Sequence, residues 1–172
     1  YVSYKTNEDG SQSAYEFNIN YFDALNNPQE NSNSLGLKVR RFVTAHAIMA
    51  ALQGIPGIYF HSLFGSTSWF EGARESGTPR TINRERLRLE QLETELADEN
   101  SLRHQIYTGL KDLFLARSGH PAFHPNAPQS VPWINPSVIT IVRHTRETGK
   151  KVVCLHNIRA ERAQVDLREI PG

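Results

Sequence analysis

Several features that mark particular protein classes are scarce in this sequence of 172 residues. There is one cysteine, so no internal disulfide can form, which fits a reducing, cytoplasmic location. No apolar run approaches the roughly 20 residues that span a bilayer. The net charge of +1 gives no electrostatic case for nucleic acid or an anionic membrane as a partner. The remaining composition, 38% apolar and 22% charged, is typical of a soluble globular chain.

Metal ligands and nucleophiles are also sparse. His120 and His124 have the i, i+4 spacing of a helical metal site, but Pro121 and Pro125 exclude a helix there. Cys154 lies within a short apolar run and is interpreted as a small core residue rather than a nucleophile. We therefore expect neither a metal nor a cofactor.

Three segments have the apolar spacing of amphipathic helices, residues 35–53, 85–97 and 101–118. Ser34 is a plausible N-cap for the first, and Gly54 and Pro56 would end it. Asn83 is a candidate cap for the second, which we expect to carry Glu90, Glu93 and Glu95 on its solvated face.

The apolar segment 57–64 follows the first predicted helix and a tight Pro-Gly entry, which predicts a buried parallel strand. Residues 65–84 would then form a long loop, and loops after the strands of an α/β barrel carry function. Trp69 and Phe70 in this loop either cover a binding pocket or anchor the loop. His61 is interpreted as a half-buried packing residue.

The two ends of the chain have different residue patterns. Residues 7–13 are polar and predict an exposed loop, while residues 15–25 alternate apolar and polar, as a strand or a one-sided packed loop would. After Gly119, prolines give way to strand-like runs at 138–143, 151–158 and 164–167, with a hairpin turn at 146–149. We place a domain boundary near 119–121, giving domains 1–119 and 120–172.

Several motifs occur in an order that resembles one protein family. They are Gly-Ile-Pro-Gly-Ile-Tyr at 54–59, Arg-Thr-Ile-Asn-Arg at 80–84, Arg-Ser-Gly-His-Pro-Ala-Phe at 117–123, and the run from Tyr15 to Leu25. Together they resemble glycoside hydrolase family 13, within it the sucrose phosphorylase-like α-glucosyl phosphorylases. The resemblance implies an α/β fold class: the C-terminal part of a (β/α)8 barrel, followed by the start of an antiparallel β-domain.

The resemblance also implies a chemistry. Family members transfer glucose, with retention, from a small α-glucoside to inorganic phosphate through a covalent glucosyl-enzyme. Their catalytic carboxylates belong to strands that precede Tyr1 in the family order, so we expect no catalytic residue in this chain. Because the chain opens on Tyr1 rather than Met, we expect a fragment, inactive alone, that lacks the N-terminal half of its barrel.

Three residues match substrate-binding positions of the family. Arg80 matches a loop arginine that faces acceptor and phosphate, and Tyr15 with Glu16 matches the acceptor loop. Sucrose phosphorylases usually have Gln where this chain has Glu16, and an acidic residue where it has Ser13, so the chain resembles the glucosylglycerate type more closely. The alternatives are a surface ion pair for Arg80, and a half-buried Tyr15 beside a solvated Glu16.

Two other functions fit the same sequence. One is hydrolysis of α-glucosides within the same family. The other is a non-catalytic fragment that binds sugar or serves as structure, since the catalytic strands are missing and the exposed edges of a partial barrel favour instability or self-association.

Overall fold

The computed structural model describes residues 1–30, 32–145 and 148–170, which divide into two compact units. Unit 1 consists of Tyr1–Phe42 and Ile58–Tyr107, and unit 2 of Val43–Gly57 and Thr108–Gly172. The domains proposed from the sequence, 1–119 and 120–172, stay a prediction. None of the helices in the described part of the chain is both long and apolar enough to cross a membrane.

Unit 1 opens with an antiparallel hairpin of two strands, β1 (Val2–Thr6) and β2 (Gln12–Phe17). The predicted exposed loop at 7–13 is thus a shorter turn, and the alternating segment 15–25 resolves into the end of β2 and a short helix, α1 (Tyr21–Leu25). The side chain of Asn20 accepts from the backbone N–H of Phe22 and so caps α1.

The predicted amphipathic helices are present. They are α2 (Leu35–Ala51), α5 (Leu89–Ala97) and α6 (Leu102–Ser118). Ser34 caps α2, because its hydroxyl accepts from the backbone N–H of Leu37 at 3.3 Å. The role predicted for Asn83 is wrong: α5 starts six residues later, after Arg88, which provides no side-chain cap.

The prediction of a parallel strand over 57–64 is wrong. The chain is irregular up to Tyr59 and then forms a short helix, α3 (Phe60–Leu63). A parallel strand satisfies its backbone groups only through neighbouring strands. No described strand pairs with this segment, and Ile55 at its entry is 84% exposed.

The segment 65–84 is more ordered than a long loop. It contains a helix, α4 (Phe70–Ser76), and a 3₁₀ helix at Pro79–Asn83. Gly77 ends α4 with a φ of 63°, a left-handed conformation that suits glycine. Trp69 packs against Gly72, where a Cβ atom would lie 2.2 Å from the indole ring, so it anchors this segment.

Unit 2 contains an antiparallel sheet of three strands in the order β3-β4-β5, with β3 at Gln129–Ser130, β4 at Val138–His144 and β5 at Lys151–Asn157. The strands expected at 138–143 and 151–158 are therefore confirmed. The run 164–167 is not a strand, since only a 3₁₀ turn follows at Leu167–Glu169. Arg146 and Glu147 of the predicted turn lie outside the described residues. The sheets are antiparallel, as expected of a β-domain, and the barrel stays a prediction.

The centre of the sheet buries an arginine. Arg143 in β4 is fully buried and donates from Nη1 to the carbonyl of Ala51 at 3.0 Å and from Nη2 to the carbonyls of His124 at 3.0 Å and Ala127 at 3.2 Å. No described carboxylate pairs with it. Burial, and secondarily the charge of Arg117, lowers the pKa of Arg143. Backbone carbonyl dipoles therefore compensate this charge.

Candidate functional site

Two of the three residues predicted to bind substrate form a direct ion pair in unit 1. Arg80 Nε donates to Glu16 Oε2 at 2.9 Å, although the two residues are 64 positions apart. The side chain of Arg80 is 54% exposed and that of Glu16 is 31% exposed. The pair is accessible to a ligand, and an exposed pair of this kind adds little to stability.

Local structure fixes the position of the arginine. Pro79 occupies the first turn of the 3₁₀ helix, where its missing N–H costs nothing and its φ suits a helix. Ser76 Oγ donates to Thr81 Oγ1 at 2.9 Å and ties this turn to the end of α4. Farther along, the hydroxyl of Tyr59 donates to the carbonyl of Asn83 at 2.9 Å. Arg80 therefore projects from a braced turn.

The electrostatics of the pair keep the guanidinium of Arg80 protonated. The hydrogen bond from Arg80 to Glu16 raises the pKa of the guanidinium above its usual range, and the charge of Glu16 adds to this. Only Nε is engaged within the described part of the chain, so the four N–H groups on the two terminal nitrogens of Arg80 remain for a ligand. A planar guanidinium of this kind suits phosphate and carboxylate.

Tyr15 is 56% exposed, so the half-buried alternative underestimates its accessibility. It lies beside Glu16 on β2, near enough for its phenol to influence the pKa of Arg80 more weakly than Glu16 does. Ser13 on the same strand accepts from Asn7 Nδ2 at 2.7 Å, which orients its hydroxyl within the hairpin. The structure thus brings Tyr15, Glu16 and Arg80 together, whereas their role in binding stays a prediction.

A second polar cluster in unit 1 was missed by sequence reasoning. Arg103 in the first turn of α6 pairs with Glu95, and with Glu85 at 3.2 Å. It also donates to Ser66 Oγ at 3.0 Å and to the carbonyl of Phe64 at 3.3 Å. Glu95 is therefore part of an ion-pair network rather than a fully solvated residue. No periodic signal indicated this, because its members are spread over 40 residues of sequence.

His61 adjoins this cluster and is 7% exposed, more buried than predicted. Its Nδ1 lies 3.2 Å from Ser66 Oγ. Burial is the main cause that lowers the pKa of His61, Arg103 lowers it further, and Glu85 opposes the shift. The imidazole therefore belongs to a buried network and is favoured in its neutral form.

The lowered pKa of His61 predicts how stability depends on pH. The unfolded chain takes up a proton near pH 6.5 while the folded chain resists it, so the free energy of unfolding is greatest above pH 6.5. It falls as the pH drops through the folded pKa. Urea unfolding between pH 7.5 and 5 measures this slope. We expect a shallower slope in His61→Asn, which keeps a polar group near Ser66, and parallel curves for the two proteins would contradict this assignment.

The other histidines raised in the sequence analysis, and the cysteine, have local roles. Nδ1 of His120 accepts from the backbone N–H of Ala122, and Nδ1 of His124 accepts from that of Asn126. Among the described residues, no three His, Cys, Asp or Glu side chains form a group able to hold a metal ion. Cys154 is partly buried in β5, and burial raises the pKa of its thiol.

Comparison with known proteins places this arrangement in context. No family model matches the chain. A glucosylglycerate phosphorylase of Allomeiothermus silvanus is 43% identical over 95% of this chain and 28% of its own length. Proteins of the same name from Spirochaeta thermophila and Escherichia coli are 38% and 34% identical, over 91% and 99% of this chain. The chain thus spans 26–30% of the length of these relatives.

A solved structure agrees at the level of the fold. The crystal structure of sucrose 6F-phosphate phosphorylase from Thermoanaerobacter thermosaccharolyticum matches with a TM-score of 0.57 and 19% identity, over 90% of this chain and 33% of that chain. Both comparisons agree with the family resemblance of the motifs. The chain is therefore similar over almost its whole length to glucosylglycerate phosphorylases, and it corresponds to 26–30% of the length of those proteins.

Proposed function

We propose that this chain supplies the acceptor- and phosphate-binding part of an α-glucosyl phosphorylase that acts on glucosylglycerate. The observation that carries the proposal is the 34–43% identity, over almost the whole chain, to three proteins of that name. The reaction is transfer of glucose, with retention, from the small α-glucoside to inorganic phosphate, which gives glucose 1-phosphate. In this proposal the catalytic carboxylates lie outside the 172 residues, in the missing part of the (β/α)8 barrel.

Within this function, Arg80 binds the anion. Glycerate carries a carboxylate and phosphate is an anion, so both reaction partners need a cationic donor at the site. The free N–H groups of Arg80 suit either anion, and Glu16 orients the guanidinium through its Nε. The exposed phenol of Tyr15 can pack against a sugar face while its hydroxyl forms a hydrogen bond. The carboxylate of Glu16 can accept from sugar hydroxyls.

The proposal is tested in a chimera, because the isolated chain lacks the catalytic groups in this scheme. The matching segment of the Allomeiothermus silvanus relative is replaced by this chain, and the same protein without the segment is the control. We expect phosphate-dependent formation of glucose 1-phosphate from glucosylglycerate by the chimera only. Release of free glucose without phosphate dependence would identify a hydrolase, and no activity beyond the control would favour a non-catalytic fragment.

Substitution of Arg80 in this chimera tests the assigned role. Arg80→Ala removes every donor, and we expect kcat/KM for phosphorolysis to fall about 100-fold, the effect of losing hydrogen bonds to a charged partner. Arg80→Lys keeps the charge but not the planar donors and recovers only part of the activity. Arg74→Ala is the matched control, an exposed arginine on nearby α4, and keeps full activity. Equal activity of all three variants would refute the role of Arg80.

A further inference from the structure

The hairpin of unit 1 exposes its apolar face. In the register of β1 and β2, Val2 lies opposite Phe17 and Tyr4 lies opposite Ala14, with a bulge at Tyr15 between these pairs. Residues two apart on a strand share a face with the residues directly opposite them, so one surface carries Val2, Tyr4, Ala14 and Phe17, while the bulged Tyr15 lies outside the paired register. We call this surface the outer hairpin face.

All four residues of the outer hairpin face are exposed, Phe17 to 78%, Tyr4 to 58% and Val2 to 37%. Sheets with one solvated face normally turn their polar residues to water. A two-stranded sheet has little stability of its own and needs its apolar face covered. An exposed apolar face without a charged residue indicates an interaction surface.

The opposite, polar face of the hairpin is the one that unit 1 itself uses. Ser3 accepts from Asn18 Nδ2 at 2.7 Å, Ser13 accepts from Asn7, and Glu16 accepts from Arg80. The pair of Glu16 with Arg80 therefore joins the polar side of the hairpin to a distant segment of unit 1. The outer hairpin face is available to a partner.

We propose that the outer hairpin face docks the part of a glucosylglycerate phosphorylase that has no counterpart in this chain, and this inference rests on the proposed function. The relatives are more than three times as long as the matched segment, so most of their mass lies outside it. In the proposed function the catalytic carboxylates belong to that part and must reach a sugar bound at Tyr15 and Glu16. The polypeptide that bears them therefore meets the same hairpin that carries the outer face.

The occupant is a polypeptide surface with apolar side chains, because the face offers two aromatic rings and two aliphatic side chains and no charge. Phe17, the most exposed of the four, is expected to become a buried anchor. A second copy of the chain is the competing occupant, and the test below distinguishes the two.

Hydroxyl-radical footprinting compares the isolated chain with the Allomeiothermus silvanus chimera. We expect oxidation of Tyr4 and Phe17 to be about tenfold slower in the chimera, as for the buried core of an interface. Equal oxidation rates in both proteins would overturn the inference. Protection that is already present in the isolated chain and grows with its concentration would also overturn it, in favour of a second copy.

Two substitutions in the chimera, and a mixture of the isolated chain with the remaining part of the relative, complete the test. In the chimera, Phe17→Asp is expected to lower the yield of folded protein, whereas Leu89→Asp, at a 68% exposed position of α5, leaves it unchanged. If the chimera does not fold, the isolated chain is mixed with the remaining part of the relative, and absence of protection there overturns the inference. A protected face without phosphorolysis refutes only the proposed function, and phosphorolysis with an unprotected face refutes only the docking inference.

Discussion

Replacing Arg143 by leucine is expected to lower the free energy of unfolding of unit 2 by about 3 kcal/mol, from hydrogen bonds to a charged donor worth roughly 1.5–3 kcal/mol each. The carbonyls of Ala51 and Ala127 lose the donor that Arg143 supplies. The carbonyl of His124 suffers less, because it also accepts from the backbone N–H of Ala127 at 2.9 Å.

Desolvation of the guanidinium acts in the opposite direction. Leucine removes a buried cation, and the desolvation of such a charge can offset what its hydrogen bonds contribute. We expect the hydrogen bonds to dominate, because the two orphaned carbonyls belong to the end of α2 and the segment before β3, which leucine cannot join. Arg143→Lys keeps the charge with fewer directed donors, so its free energy of unfolding is expected to lie between those of the wild-type protein and Arg143→Leu.

The measurement is hydrogen exchange of the β4 amides, read by mass spectrometry, since a chain with two units need not unfold in a single step. Arg162→Leu is the control, an exposed arginine in the same unit. Faster exchange in β4 for Arg143→Leu alone supports the prediction. Unchanged protection would mean that desolvation of the guanidinium cancels its hydrogen bonds.

Arg103→Leu is expected to cost unit 1 about 2 kcal/mol, less than the buried Arg143, because the partner carboxylates are about one third exposed and partly screened. A cation in the first turn of a helix is disfavoured by the helix dipole, so the position of Arg103 in α6 depends on Glu85 and Glu95. Without it, two carboxylates face each other and Ser66 loses a donor.

Urea unfolding followed by tryptophan fluorescence reports this loss, because Trp69 packs within unit 1 whereas the other tryptophan, Trp133 in unit 2, is already 84% exposed. Arg88→Leu, at an exposed position just before α5, is expected to change the midpoint little. A double-mutant cycle with Glu95→Gln isolates the pair, and additive effects would show that Arg103 and Glu95 are not coupled.

Local pattern predicted the elements that depend on local interactions. The 3.6-residue spacing and the cap at Ser34 located α2, and the same spacing located α6, because helix hydrogen bonds close within four residues. The prediction of a strand at 57–64 was wrong because a strand depends on non-local interactions. Its hydrogen bonds require partner strands, and apolar residues alone do not specify them.

The candidate site likewise depends on contacts between residues far apart in the sequence. Arg80 and Glu16 came from motif resemblance and not from spacing, since no periodicity connects residues 64 positions apart. The burial of Arg143 could not be predicted, because an arginine in a strand is ordinarily solvated and its carbonyl partners come from distant segments. The sequence therefore pointed to Arg80 and Glu16 but not to the contact between them, and their role in binding stays a prediction.

The outer edge of β5 has a practical consequence for work with the purified chain. β5 is the last strand of its sheet, and its exposed side includes Val153 at 38% and Leu155 at 43%. An open apolar edge recruits strands from other molecules, and Lys151 is the one lysine in this strand that opposes such pairing. Concentrated stocks are therefore prone to precipitate through edge-to-edge pairing. Dilute storage, or the substitution Val153→Lys, would keep the protein in solution.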